Sequence, residues 1–369
     1  MKRRTMLSLL ASLPAATAFA RESGNLVLGQ SAPSTGPSAQ LGIQLNRGAR
    51  LYFDKVNAAG GVNGQKIELR MLDDGYEPPR AKANTETFLN DDVFALFGYV
   101  GTPTSLAALP LVKDSGIPFF GPFTGAMALR TPALRNVFHV RASYDDETAL
   151  IVNQLHNLGL KKIAVFRQND SYGQAGLDGT VKALKALGLA PVAVGTVERN
   201  TIKVEEAVKA IVAAQPDGVV QISSYKSCAA FIREARKAGY GGQFFNVSFV
   251  GTKALSDELS KDALGVVVSQ VMPYPFSPAV PIVRDYLDAV KASGDASVNY
   301  SSLEGYIDAR VFVEGLRRGR ANTREGLANG LESLQHVDFD GFNLNFGREH
   351  AASHFVELSM LTGDGGVRR

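Results

Sequence analysis

Phe94-Ala95-Leu96-Phe97-Gly98-Tyr99-Val100-Gly101-Thr102-Pro103-Thr104-Ser105 is the stretch whose reading decides the fold. An apolar run of strand length meets two glycines, then breaks into hydroxyl residues around a proline. Leu106-Ala107-Ala108-Leu109 begins a helical pattern directly after it. Pro103 fits the first helical turn, where its missing N–H has no intrahelical partner to lose. Thr102 is the natural N-cap, and Thr104 and Ser105 add hydroxyls to the same turn. Free N–H groups, hydroxyls and the positive end of the helix dipole converge on one spot, which suits a carboxylate. A capped helix in any α/β domain would carry similar residues, so the rest of the chain decides between the two readings.

Working outward, the same plan recurs. Asn25 to Gly29 reads as a buried strand running into Gln30-Ser31-Ala32-Pro33-Ser34-Thr35-Gly36-Pro37-Ser38, a polar loop of turn formers. Leu41, Leu45, Ala49, Tyr52 and Val56 then fall on one helical face, and Gly60-Gly61 stops it. Asn63-Gly64 marks a tight turn before the alternating strand Ile67 to Leu72. Downstream, Ile117 to Phe120 opens onto a second loop, Gly121-Pro122-Phe123-Thr124-Gly125, and Lys162 to Phe166 opens onto Gln168 to Gln174. Gly218 to Ile222 ends in Ser223-Ser224-Tyr225-Lys226, and Gln243 to Val250 reads as a strand with a polar break. Strands alternating with helices predict βαβ units and parallel sheets. Ligands in such folds lie beyond the carboxyl ends of the strands, where six loops here are rich in Ser, Thr, Tyr, Gly and Pro. Two similar α/β halves facing one cleft is the economical architecture.

Composition agrees with a globular protein: 369 residues, 45% hydrophobic and 20% charged. The first twenty residues differ. Lys2-Arg3-Arg4 is a basic head, Met6 to Leu13 an apolar core, and Ala18-Phe19-Ala20 a small-x-small cleavage site, the pattern of a signal peptide over residues 1–20. Arg3-Arg4-Thr5-Met6-Leu7 also fits a twin-arginine signal, so both export routes stay open. Cleavage would remove three of the 39 basic residues and none of the 36 acidic ones, leaving no net charge and no polybasic field for nucleic acid. The single Cys228 lies in a helical pattern, where packing explains it, and away from any lipidation position behind the signal. The expected product is exported, periplasmic, soluble and monomeric, not a lipoprotein.

Catalytic signatures are missing. There is no phosphate-binding loop, dinucleotide fingerprint or nucleophile elbow. His350 and His354 are four apart without a zinc-protease glutamate and are expected to be solvated; Asp73-Asp74 and Asp145-Asp146 fall at element boundaries, where capping explains them. No acid–base pair, metal site or cofactor is assigned.

Several motifs resemble the type I periplasmic solute-binding proteins of ABC transporters, the leucine/isoleucine/valine-binding group in particular. They are Ser34-Thr35-Gly36-Pro37, Val56-Asn57-Ala58-Ala59-Gly60-Gly61-Val62-Asn63-Gly64, Asp73-Asp74, Asp170-Ser171-Tyr172-Gly173, Arg233 to Gly239 and Leu303-Glu304-Gly305-Tyr306. The resemblance spans nearly the whole chain beyond the signal, and it rests on the order and spacing of these motifs together. It implies an α/β fold of two lobes closing like a flytrap, with parallel sheets flanked by helices and three interlobe crossovers. Lobe 1 would be 24–142 plus 274–340, and lobe 2 143–273 plus 341–369. It implies delivery of a small ligand to an inner-membrane ABC permease. The ligand carboxylate would be gripped by Thr102, with Thr104 and Ser105 beside it, and by the loop Phe123, Thr124, Gly125. Tyr172, Ser224, Tyr225 and Ser248 would come from the other lobe.

Three departures stand out. The family's paired cysteines near Asp74 and at Gly101 are missing, the second loop's threonine sits one residue early at Thr124, and the acid that holds a ligand ammonium aligns with Ser248. Asp170 and Glu304 are the remaining acids for an amine, although Asp170 is placed to cap the helix after it. Tyr99, Phe123, Tyr172, Tyr225 and Phe249 crowd these loops with rings, which favour flat or apolar bodies. Acids without an amine are therefore expected to bind better than the matching amino acids. A ligand sensor for a signalling partner and an exported α/β enzyme are the competing readings.

Overall fold

The computed structural model describes residues 24–113, 115–295, 297–347 and 350–369, so the signal read over residues 1–20 lies outside the described residues. The first unit runs β1 (Leu26–Ala32), α1 (Ala39–Ala58), β2 (Ile67–Asp73), α2 (Pro78–Asn90), β3 (Ala95–Phe97), α3 (Thr102–Val112), β4 (Phe119–Phe120) and β5 (Val137–Phe138). The second runs α4 (Tyr144–Asn157), β6 (Ile163–Gln168), α5 (Ser171–Ala186), β7 (Ala193–Val197), α6 (Glu205–Ala213), β8 (Gly218–Ile222), α7 (Tyr225–Lys237), β9 (Gln243–Asn246), α8 (Thr252–Leu259) and β10 (Val267–Gln270). Helices α9 (Pro281–Ala292), α10 (Tyr300–Gly319) and α11 (Arg324–Glu332) follow, then a hairpin, β11 (Val337–Phe339) and β12 (Phe342–Leu344). Strands β13 (Glu357–Leu361) and β14 (Val367–Arg368) finish the chain.

Both sheets are wound the same way. The first has the order β2-β1-β3-β4-β5, all parallel. The parallel part of the second has the order β7-β6-β8-β9-β10, which repeats the first strand for strand, and β13 and β14 add an antiparallel edge. The chain passes between the units after β5, after β10 and before β13, which gives three crossovers. In each half the connection reverses direction at its first strand, and that switch point is where an open α/β sheet leaves a crevice.

Each sheet is apolar on both faces, as parallel sheets must be. On one side of the first, Phe312 of α10 meets Phe53, Phe97 and Phe120 edge-on at centroid distances of 6.3, 5.9 and 5.3 Å. On the other side Tyr99 packs edge-on against Phe119 and its hydroxyl bonds Thr85 at 3.0 Å. Tyr99 therefore belongs to this core and not to the cleft, contrary to expectation. The helical face read from Leu41, Leu45, Ala49, Tyr52 and Val56 is the buried face of α1.

Three local expectations change. The strand read over Gln243 to Val250 ends at Asn246, and Ser248–Val250 forms a 3-10 turn that presents Ser248 and Phe249 to the cleft side. Residues 341–347 and 350–352, expected with the second lobe, pack with the first: Leu344, Phe346 and Ala352 enter its core, and the Ala352 N–H bonds His139 O at 2.8 Å. The apolar positions of this segment fill a gap beneath β5, so the last crossover falls later than expected. His350 is buried and stacked on Phe138 at 4.4 Å with Nε2 3.0 Å from Glu332, whereas His354 is exposed beside Asp146.

Candidate ligand site between the lobes

The site begins where β3 ends. Gly101, at φ +101°, is the residue before α3, and Thr102 is already the first helical residue, so Thr102 is not the N-cap. A Cβ on Gly101 would lie 2.2 Å from the Tyr76 ring, so only glycine permits this approach. The freed Thr102 hydroxyl meets the Thr124 hydroxyl at 2.7 Å, and the Ala126 N–H donates to Thr124 Oγ1 at 3.2 Å. The two loops are zipped together by Phe123 N–H to Tyr99 O at 2.7 Å and Gly101 N–H to Phe123 O at 3.2 Å. Thr124, one residue early in the sequence, thus reaches Thr102. Thr104 turns back, its hydroxyl donating to Gly101 O at 3.0 Å and to Val100 O, so it supports the loop. Ser105 Oγ is buried and finds no partner among the described residues.

Gly125 admits the first crossover. Its carbonyl accepts from the Tyr144 N–H at 2.8 Å, and a Cβ there would stand 2.5 Å from that nitrogen. Tyr144 opens α4, whose N-terminus is closed by a reciprocal cap between Ser143 and Asp146. This brings the Tyr144 ring to 5.4 Å from Tyr172, which lies 4.5 Å from Phe249. Phe249 in turn lies 5.6 Å from Phe123 and 5.8 Å from Tyr76. Five rings, two from the first lobe and three from the second, meet in one aromatic cluster, here called the aromatic box. The Tyr144 and Tyr172 hydroxyls and Ser223 Oγ are buried without a partner among the described residues, and burial pushes the Tyr144 hydroxyl up to about 12.

The remaining expected residues sit around it. Ser224 lies 3.5 Å from Ser227 through their hydroxyls, and the Tyr225 hydroxyl faces the Gln40 backbone across the cleft. Asp170 caps α5, accepting from the N–H groups of Tyr172 and Gly173 at 3.0 and 3.3 Å. Asp73 holds the Ser34-Thr35 loop through both backbone N–H groups and the Thr35 hydroxyl. Burial opposes its charge, but these donors with Gly75 and Arg80 hold the carboxyl well below its usual range.

Behind the box, on the hinge side, lies a buried charge cluster that the sequence did not expose. Arg141, in the first crossover, stacks on Phe123 at 4.5 Å and donates from Nη2 to Ser248 Oγ. Its Nε is 3.4 Å from Glu304, and Nη2 is 3.9 Å from Glu147. Glu147 is occupied: it accepts from Ser248 N–H at 2.6 Å, Ser248 Oγ at 3.0 Å and Ser269 Oγ at 2.6 Å. Burial raises Glu304 to about 7, against the pull of Arg141. Burial, reinforced by Glu304, likewise pushes the Asp308 carboxyl well above its usual range. Tyr76, Tyr144, Arg141 and Glu147 were missed in the sequence. Arg141 carried one signal, a charge directly following the strand-like run Val137-Phe138-His139-Val140.

Across the rim, Arg199 of the second lobe pairs with Glu77 of the first at 3.1 Å and with Asp170 at 3.3 Å. Asn200 donates to Gly75 O and Glu77, and accepts from Ser38 Oγ at 3.2 Å. Gln168 Nε2 donates to the Tyr76 hydroxyl at 3.2 Å. The lobes are latched over the box.

A family model described as "Periplasmic binding protein" matches residues 26–365. The chain belongs to that family. Periplasmic binding proteins of this kind are substrate-binding proteins, not enzymes. A possible leucine/isoleucine/valine-binding protein from Rhodopirellula baltica is similar in structure, at 35% identity and a TM-score of 0.88 over 94% of this chain and 96% of that one. The Leu/Ile/Val-binding protein homolog 8 of Brucella suis is 25% identical over 95% of this chain and 91% of its own. A solute-binding protein of an ABC transporter from R. palustris, solved in complex with benzoate, shares the fold at 20% identity, with a TM-score of 0.82 over 92% and 94% of the two chains. This periplasmic binding protein is therefore of the leucine/isoleucine/valine-binding type. No helix among its described residues is long and apolar enough to cross a membrane.

Proposed function

We propose that this chain is the solute-binding subunit of an ABC importer, exported to the periplasm with residues 1–20 removed. It captures a small carboxylate-bearing solute in the aromatic box and delivers it to an inner-membrane permease. One observation carries the reading. The Thr102–Thr124 hydroxyl pair sits at the N-terminus of α3, beside buried hydroxyls of Ser105, Tyr144 and Tyr172 that find no partner among the described residues. Buried polar groups are satisfied in native proteins, so such a cluster asks for a ligand rich in acceptor oxygens. The helix dipole and the hydroxyl donors favour an anion there.

The body of the ligand is set by the rings. Tyr76, Phe123, Tyr144, Tyr172 and Phe249 suit an aromatic or branched aliphatic acid. The fold accommodates benzoate in the R. palustris protein. An amine finds little support: Asp170 is spent on its helix cap and Glu147 on two serines, while Glu304 already faces Arg141. An ammonium buried without a dedicated carboxylate is costly.

A thermal-shift screen of small acids tests the function. Stabilisation of roughly 2.7 kcal/mol is expected at a hundred times the dissociation constant. Titration calorimetry then compares leucine with its deaminated 2-oxo acid, and phenylalanine with phenyl acids. A preference for the acids supports the reading, and a preference for the zwitterions overturns the ligand class. Absence of any shift at millimolar acid overturns the function itself.

A further inference from the structure

The hydroxyl pocket accounts for one ligand carboxylate, but it leaves the guanidinium behind the Phe123 wall unexplained. Arg141 is 1% exposed, and its Nε and Nη1 find no hydrogen-bond partner among the described residues. Two carboxylates balance its charge without saturating its donors. Glu147 stands 3.9 Å away with its oxygens occupied by Ser248 and Ser269, and Glu304, at 3.4 Å, is not aligned as a hydrogen-bond acceptor. A second guanidinium, Arg130, is also close, but it is tied to the carbonyls of Arg141 and Ala142 at 3.0 and 3.2 Å. Arg141 adjoins the box through two contacts, the Phe123 ring its face covers and the Ser248 hydroxyl its Nη2 holds.

A guanidinium offers five donors in a rigid fork that matches a carboxylate, so unused buried donors are a recognition element. They are also a deterrent, because a ligand cation brought here would be repelled and left unpaired. We infer that Arg141 is the specificity-determining residue of this site and that the preferred solute is a diacid, one carboxylate in the hydroxyl pocket of α3 and a second acceptor group against Arg141. The inference rests on the binding function proposed above and names its substrate class.

The test is titration calorimetry on the purified protein with matched pairs: benzoate against terephthalate, and hexanoate against adipate. The diacid of at least one pair is expected to bind tenfold or more tightly than its monoacid. Arg141→Gln and Arg141→Lys are expected to erase or sharply reduce that preference, read as the ratio of diacid to monoacid affinity within each folded variant. Equal or tighter binding of both monoacids by the unmodified protein overturns the inference, and so does a preference that survives in folded Arg141→Gln. If neither variant folds, the comparison in the unmodified protein decides alone. Monoacids that bind without a diacid preference defeat only this inference, whereas no binding by any acid defeats the proposed function with it.

Discussion

Thr102 and Thr124 share one hydroxyl contact, at 2.7 Å. A hydroxyl bonded to a charged group contributes about 1.5–3 kcal/mol, so Thr102→Ala is expected to weaken carboxylate binding roughly ten- to a hundredfold by calorimetry. Thr102 is not the cap of α3, so the unliganded melting temperature should fall only by the loss of its bond to Thr124, about 1 kcal/mol. A second prediction concerns protons. Burial, reinforced by Glu147 and opposed by Arg141 and Arg130, lifts Glu304 from 4.5 to about 7. Its contribution to stability is therefore present in acid and is lost as pH rises through about 7. A ligand carboxylate against Arg141 would raise Glu304 further, so the complex holds the proton more tightly than the free protein. Diacid affinity should then be greatest below pH 7 and fall above it, by at most about tenfold per pH unit. Arg130 and Arg141 keep their charge across that range, and burial holds the Asp308 carboxyl well above its usual range. Affinities measured from pH 6 to 8 check this, with Glu304→Gln expected to flatten the slope. Sequence reading singled out the hydroxyls because several crowd short loops after strands. It missed Arg141 because Ser248, which gives the guanidinium its place, lies 107 positions away. Tyr76 was missed for another reason: a bulky residue at φ +63° is an unfavourable conformation that only the folded environment enforces.

Element by element, the helices that frame the cleft are fixed at their starts. Asp170 ends its loop by accepting two N–H groups of α5, and such a cap is worth about 1 kcal/mol. Asp170→Ala should lower the melting temperature of the unliganded protein, and any change in affinity should be the same for amino acids and deaminated acids. A loss confined to amino acids would return Asp170 to the ligand. The start of α3 depends on backbone shape. Gly101→Ala would place a left-handed residue against the Tyr76 ring, and strain of this kind costs about 1–3 kcal/mol. Thermal melts of that variant should show both lower stability and a smaller ligand shift. Helices were legible from their apolar spacing, and so were the loops, because Gly, Pro and hydroxyl residues punctuate them. The 3-10 turn at Ser248–Val250 was not, since Phe, Val and Ser alternate as readily in a strand. Leu344 and Phe346 were expected in the other lobe for a similar reason: both are as apolar as any core residue, and only packing says which core.

On the scale of the whole molecule, two copies of one winding order face each other and are pinned at the rim by Arg199 and Asn200. Arg199 and Glu77 are partly exposed, at 23% and 42% of their side chains, so solvent screens their attraction and the pair is worth at most about 1 kcal/mol. Arg199→Ala should therefore raise the dissociation rate a fewfold, as read by stopped flow, with the difference shrinking in high salt. The aromatic box has a further consequence, an optical one. The chain has no tryptophan among its 369 residues, against 11 tyrosines. Ultraviolet emission therefore comes from phenols alone, undrowned by indole. Tyr76 reaches Phe249 and Gln168 from the opposite lobe, so parting the lobes moves this phenol from a dry, hydrogen-bonded slot into water. The unmodified protein should thus report its own closure as a change in tyrosine fluorescence, without an attached dye, and Tyr76→Phe should dim that signal.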